Sequence, residues 1–86
     1  MVVNPESNAI IKDKFEVHAP AYTNIDSSLI TIDVSWSGLT PIGIVGRVMD
    51  SNTNAPYIEY LSGTTVSAAF ATTGGKYRPY VLYIKN

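Results

Sequence analysis

An alternation of apolar and polar residues over residues 29–36 constrains the fold of this chain more than any other feature of its sequence. The apolar residues, which all fall on one side of an extended chain, are Ile30, Ile32, Val34 and Trp36. Successive side chains of a β-strand point to opposite faces of the sheet, so this spacing predicts a strand with one buried face. On this prediction Trp36, at the end of the buried face, belongs to the core.

Five other segments have the composition of strands, and short turn-forming stretches separate them. They span residues 10–18, 42–50, 57–61, 64–72 and 76–85. Gly43 and Gly46 predict a bulge, or a close approach of a neighbouring backbone, within their strand. Gly74-Gly75 predicts a hairpin between the last two strands. Pro79 cannot donate a ladder hydrogen bond, so the last strand is expected to have a free edge or to pair only beyond Pro79.

Six to seven short strands without an amphipathic helix predict an all-β fold, a small antiparallel β-sandwich. A chain of 86 residues has room for one core, and therefore for a single domain. We expect residues 1–9 to be a loose polar lead-in and residues 10–86 to form the sandwich domain.

Composition excludes several classes of function. Only 15% of the residues are charged and the formal net charge is −1, so no basic surface for nucleic acid is expected. The longest apolar run is far shorter than a membrane span, so no membrane insertion is expected. Cysteine is absent, which excludes disulfides and thiolate ligands. A weakly charged surface rich in Thr, Ser and Asn is typical of extracellular bacterial and phage proteins, although the first residues lack an export signal.

Three segments spread over about the last two thirds of the chain are Thr31–Trp36, Gly46–Ser51 and Gly75–Asn86. In this order they resemble the small immunoglobulin-like sandwich domains of secreted bacterial proteins. The resemblance implies an exported, non-catalytic module without a particular ligand. Such domains often continue into one more strand, so here the N-terminal segment or a partner would have to replace that strand.

Catalysis has little support in the sequence. His18 is the one histidine, and no serine has the surroundings of an activated nucleophile. The carboxylates are widely spread, and a domain of this size has little room for a deep cleft. We therefore expect no enzyme activity, and a solvated or hydrogen-bonded role for His18.

One loop has a pattern related to calcium sites. Asp50, Asn52 and Asn54 alternate like the first three ligands of a calcium loop. Ala55 replaces the expected glycine and Glu59 is misplaced for the closing carboxylate, so an ordinary polar loop is favoured. Calcium is the one cofactor that the sequence suggests.

Tyrosine is abundant, with six residues of this type in the chain. Tyr77 and Tyr83 fall on one side of the last strand, and Tyr57 begins a short strand that is expected to lie next to it. Exposed tyrosines can stack on sugar rings or anchor a protein partner, whereas half-buried ones stabilise sheets. Tyr57, Tyr77 and Tyr83 are therefore candidate ligand-binding residues, with the structural role favoured.

Uncharged, β-prone stretches at residues 64–72 and 81–84 would be prone to pairing if they lay at sheet edges. The sequence thus favours a binding or structural module that acts through a sheet face or an edge strand, on a protein partner or a second copy. Two alternatives stay open: a carbohydrate-binding accessory domain, assisted by calcium at Asp50, and a small protein inhibitor.

Overall fold

The computed structural model describes residues 13–51 and 55–86, and these residues form seven strands in two antiparallel sheets. The strands in chain order are β1 (Phe15–His18), β2 (Thr23–Asn24), β3 (Leu29–Asp33), β4 (Leu39–Asp50), β5 (Ile58–Ser62), β6 (Thr65–Ala69) and β7 (Lys76–Lys85). The all-β fold expected from the sequence is confirmed. Residues 1–9, expected to be a lead-in, lie outside the described residues.

The first sheet is built around β7. Strand β4 pairs with β7 along its whole length on one side, while β1 and β2 share the other side. β2 pairs with the beginning of β7 and β1 with its end, so residues 78–80 have no ladder partner on that side. The connection between β1 and β2 is nevertheless held there, because Arg78 Nε donates a 2.8 Å hydrogen bond to the carbonyl of Pro20.

The second sheet has the order β3-β6-β5, with β6 in the centre. Strands β5 and β6 form a hairpin in which Ser62 pairs with Thr65. Gly63, the first residue of the two-residue turn, has φ of 61°. Glycine adopts positive φ without the steric cost that a β-carbon brings, which explains this residue at this turn.

The core lies between the two sheets and is made of the inward-facing side chains of β3, β6 and β7 together with residues of their connections. Its buried members are Ile25, Ile30, Ile32, Val34, Val66, Ala68, Phe70, Tyr77, Val81 and Tyr83. The alternation over residues 29–36 therefore does mark a buried face as far as Val34. The strand itself ends at Asp33, and Trp36 makes only an isolated bridge with Leu39.

One prediction for the end of the chain is wrong. β6 and β7 belong to different sheets, so Gly74-Gly75 does not form a hairpin between them. Both glycines have positive φ where the chain crosses from one sheet to the other, and Gly74 N and Gly75 O bond to the backbone of Ile25. Strand β7 is the central strand of its sheet, and it has the free edge expected at Pro79 only over residues 78–80 on the side of β1 and β2. Pro79 lies in the unpaired interval beside β1 and β2, where no donor is required of it.

The bulge predicted at the glycines of β4 is present. Its pairing with β7 shifts register twice, between Pro41 and Gly43 and between Ile44 and Gly46. The residues passed over, Ile42 and Val45, are both exposed. An extra residue in one strand bends it and increases its twist, which makes a poor template for further strand pairing.

The uncharged stretches expected to lie at edges are instead in β6 and β7, the two central strands. The actual edges carry features that discourage edge-to-edge pairing: short strands in β1 and β2, bulges in β4, and charged residues in β3 and β5. These stretches are therefore not open to a further strand, because β6 and the second half of β7 each pair with a neighbour on both sides.

Candidate functional site

Tyr77 and Tyr83 lie in the core, each with 0% of its surface exposed. They point inward from β7 together with Val81, towards the second sheet. A shared exposed surface of Tyr57, Tyr77 and Tyr83 is therefore excluded. Tyr77 and Tyr83 have the structural role that the sequence favoured for them, although both sides of β7 are apolar and its alternation alone does not show which side is buried.

Each buried hydroxyl forms a hydrogen bond with the opposite sheet or its connections. Tyr83 Oη donates to the carbonyl of Val34, just beyond β3, at 2.5 Å. Tyr77 Oη donates at 2.5 Å to Glu59 Oε2 on β5, and Arg47 Nη1 lies 3.4 Å from the other carboxylate oxygen. Burial raises the pKa of both tyrosines, and the Glu59 carboxylate raises that of Tyr77 further. These two residues join the sheets.

Tyr57 is the one candidate tyrosine on the surface, with 66% of its area exposed. It immediately precedes β5, and its backbone N–H donates a 2.9 Å hydrogen bond to the carbonyl of Ala69. A binding role for Tyr57 stays a prediction.

The proposed calcium loop is only partly within the described residues. Asp50 is the last residue of β4, pairs with Lys76 and accepts a 3.1 Å hydrogen bond from Ser51 Oγ. Asn52 and Asn54 lie outside the described residues. Among residues 13–51 and 55–86, no three His, Asp or Glu side chains come together as a metal site would require. Calcium binding by Asp50, Asn52 and Asn54 stays a prediction.

Trp36 is not a core residue, contrary to the expectation from the alternation, because 43% of its surface is exposed. Strand β3 ends three residues before it, and the chain turns there towards β4. The indole stacks on the imidazole of His18, with 4.2 Å between the ring centroids and 13° between the planes. His18 Nε2 in turn donates a 2.7 Å hydrogen bond to Glu16 Oε2.

The outer face of the first sheet carries the most continuous apolar surface. On the central strand its residues alternate with the buried ones, and cross-strand pairing assigns their neighbours to the same face. Its apolar members are Phe15, Val17, Val48, Tyr80, Leu82 and Ile84, and we call this set the apolar face. Phe15 is 36% exposed and Val17 is 53% exposed.

The cross-strand rows give this face its shape. Phe15 and Val17 on β1 flank Ile84 and Leu82 on β7. On the other side β4 places Thr40 beside Ile84 and Gly43 beside Leu82. A β-carbon built on Gly43 would meet no atom within 4 Å, so the surface is open beside Leu82. Large side chains thus project from this face along β1, whereas small ones line it along β4.

One end of the apolar face is bounded by a cation held between aromatic rings. The guanidinium carbon of Arg78 lies 5.6 Å from the ring centroid of Tyr22 and 6.0 Å from that of Tyr80. Its hydrogen bond to Pro20 fixes this arrangement. Arg78 therefore contributes a positioned positive charge at the margin of an otherwise uncharged surface.

The outer face of the second sheet is smaller and more polar. Leu29 and Ile58 flank the small Ala69 in one row, while Thr31 and Tyr60 flank a serine in the next. Its third row contains Asp33, Thr65 and Ser62. Leu29, Ile58 and Tyr60 are each about half exposed on this face, but the small residues of β6 separate the two edge strands that carry them.

No pocket opens among the residues that the structure describes. The same part of the chain contains no helix long and apolar enough to cross a membrane. What the described residues offer for recognition is therefore their open surfaces.

The apolar face was missed in the sequence although its signal is present there. The 10-residue strand β7 has apolar residues on both of its sides after Pro79. In β1, Phe15 and Val17 alternate with two polar residues. Two-sided apolar strands usually indicate burial on both faces. In this domain the second sheet covers only one of them.

Comparison with known proteins finds no matching family model, no similar curated protein and no similar solved structure.

Proposed function

We propose that this domain is a non-catalytic module that binds a partner protein through the apolar face. The observation that carries the proposal is the exposure of Phe15 and Val17 beside Leu82 and Ile84, with no described element packed over them. Contiguous exposed apolar surface on a small soluble domain is a common mark of an interaction site.

The chemistry of the face favours a protein over a sugar as the ligand. Its centre is aliphatic, and aliphatic side chains offer neither a planar ring for stacking nor hydrogen bonds for hydroxyl groups. Protein interfaces characteristically combine an apolar centre with aromatic and Arg residues. Tyr80 and Arg78 at the margin supply both, and the charge of Arg78 suits an acidic group on the partner.

The surroundings of His18 support a non-catalytic role. A general base must be free to reach a proton on a substrate. Here Glu16 binds one ring nitrogen and Trp36 covers a face of the imidazole. The low charge of the chain also supports the exported location expected from its composition and from the resemblance to secreted domains.

A capture experiment with matched variants tests the proposal. The tagged domain, Val17→Asp and Thr31→Asp are used to recover proteins from the source cells and their medium. Val17→Asp puts a charge on the apolar face, whereas Thr31→Asp puts the same charge on the exposed outer face of the second sheet. We expect the parent and Thr31→Asp to recover the same partner and Val17→Asp to lose it.

Equal recovery by all three proteins would contradict the proposal, as would the absence of any partner for the parent. Circular dichroism checks that both variants fold. Sedimentation of the purified domain over a concentration series provides a separate arm. Association that Val17→Asp abolishes would show that the partner is a second copy of this chain.

A further inference from the structure

Trp36 is the single tryptophan of the chain, and the fold leaves it on the surface at some cost. Burying apolar area stabilises a protein by roughly 25 cal/mol per Å², and indole is the largest side chain available. A residue kept only for packing would be expected to turn towards the core. Trp36 instead stands at the edge of the sandwich, beside the turn that joins β3 to β4.

Aromatic contacts hold the indole in a defined orientation. His18 stacks on it nearly in parallel, and the ring of Tyr83 lies 6.2 Å away at 58°. His18 is itself in edge contact with Tyr83, at 5.7 Å. Because Tyr83 is buried and hydrogen-bonded to Val34, the whole cluster rests on the core. A positioned ring needs little further ordering when a ligand binds.

Two polar side chains lie next to His18, the ring that stacks on Trp36. Glu16 Oε2 accepts from His18, and Glu16 Oε1 lies 3.6 Å from Lys85 Nζ. About two fifths of the Glu16 side chain and almost half of the Lys85 side chain stay exposed. The hydrogen bond with His18 and the charge of Lys85 lower the pKa of Glu16, so its carboxylate is ionised at neutral pH.

We propose that Trp36, together with the Glu16–Lys85 pair next to the stacked His18, forms a binding site for a neutral sugar ring. The apolar side of a pyranose stacks on the exposed part of the indole. Its hydroxyl groups donate to the Glu16 carboxylate and accept from the Lys85 ammonium. The site is on the inner side of the β1 edge and is separate from the apolar face, so it does not depend on the proposed function.

The ligand class follows from the charges. The charges of Glu16 and Lys85 neutralise each other. The negative charge of Asp33 is close enough to Tyr83 to raise the pKa of that buried tyrosine. This leaves no excess positive charge to attract a carboxylated or sulfated sugar. Neutral hydroxyl groups, in contrast, can use both members of the pair.

A glycan array followed by fluorescence titration tests the site. The labelled domain is applied to an array of neutral and acidic glycans, and soluble oligosaccharides from the strongest spots are then titrated while the emission of Trp36 is recorded. We expect saturable binding to neutral glycans and a saturable change in emission. Absence of both, or a preference for acidic glycans, would overturn the proposal.

Variants separate the site from other exposed aromatic residues. Trp36→Ala is expected to abolish binding in calorimetry, and Glu16→Gln to weaken it about tenfold, as expected for the loss of a charged hydrogen-bond acceptor. Tyr60→Ala removes another exposed ring, on the second sheet, and should leave binding unchanged. Unchanged binding by folded Trp36→Ala or by Glu16→Gln would contradict the assignment. If Trp36→Ala does not fold, the same calorimetric measurement is made on Trp36→Phe, which keeps an aromatic ring stacked on His18.

Discussion

The hydroxyl group of Tyr83, on the central strand of one sheet, donates a 2.5 Å hydrogen bond to the backbone carbonyl of Val34, where the chain leaves the other sheet. The N–H group of the same Val34 donates to the carbonyl of Thr64 at 2.8 Å. Both polar groups of a buried residue outside the strands are thus satisfied. Tyr77, six residues earlier on β7, reaches Glu59 on the opposite edge of the second sheet.

Replacing Tyr83 by Phe should therefore destabilise the domain by about 1–2 kcal/mol, because the buried carbonyl of Val34 loses its donor. Urea unfolding measures the difference in free energy. Tyr57→Phe is the control, since that ring is largely exposed, and a change below about 0.5 kcal/mol is expected for it. Equal effects of the two substitutions would contradict the role assigned to the Tyr83 hydroxyl.

The two phenylalanines of the chain should differ sharply. Phe70 is buried in edge contact with Tyr77, whereas Phe15 lies on the apolar face. Phe70→Ala should cost about 3–5 kcal/mol through the cavity that it leaves, a large part of the stability of so small a domain. Phe15→Ala should cost much less. Denaturant unfolding of both variants distinguishes these outcomes, and similar losses would contradict the exposure described for Phe15.

Acidification should weaken the fold partly through Glu16 and Asp33. The hydrogen bond with His18 lowers the pKa of Glu16 from its ordinary value of 4.5, and the backbone N–H of Ser35 lowers that of Asp33 from 3.8. A lowered folded-state pKa contributes stability that is complete above the ordinary value and is lost as the pH falls through the folded value.

Thermal unfolding between pH 7 and pH 2 measures this effect. The melting temperature of the parent is expected to fall below about pH 4.5, and that of Glu16→Gln to fall less over the same interval. Parallel curves for the two proteins would mean that Glu16 has the same pKa in the folded and unfolded chains.

Two glycines provide a matched test of the turns and bulges. Gly38 has φ of 77° in the turn between Trp36 and Leu39, so Gly38→Ala should destabilise the domain by about 1 kcal/mol. Gly43 follows a bulge of β4 without positive φ, and a β-carbon there meets nothing within 4 Å. Gly43→Ala should therefore be neutral or slightly stabilising in chemical denaturation. The reverse order would contradict the backbone described for these two sites.

The sequence predicts the strands of this domain better than their arrangement. The last strand was expected over residues 76–85, and β7 spans Lys76–Lys85. The turn residues, however, do not say whether the next strand continues the same sheet. Gly74-Gly75 permits a hairpin as readily as a crossover. The crossover is held by backbone hydrogen bonds to Ile25, a residue far from these glycines in the sequence.

The functional surfaces were the least predictable part. Periodicity placed Tyr77 and Tyr83 on one side of β7 and Tyr80 and Leu82 on the other, but both sides are apolar. Which side of β7 is buried depends on where the second sheet packs, and the alternation within one strand does not show this. Trp36 was misplaced for a related reason, because an alternation continues in the sequence after the strand has ended at Asp33.

Photo-crosslinking from the apolar face tests the central claim most directly. Benzoylphenylalanine is incorporated at position 17 in one protein and at position 31 in another, and each is irradiated in the presence of extract from the source cells. The account predicts a crosslinked partner from position 17, on the apolar face, and none from position 31, on the second sheet. Crosslinks from position 31 alone, or none from position 17, would contradict it.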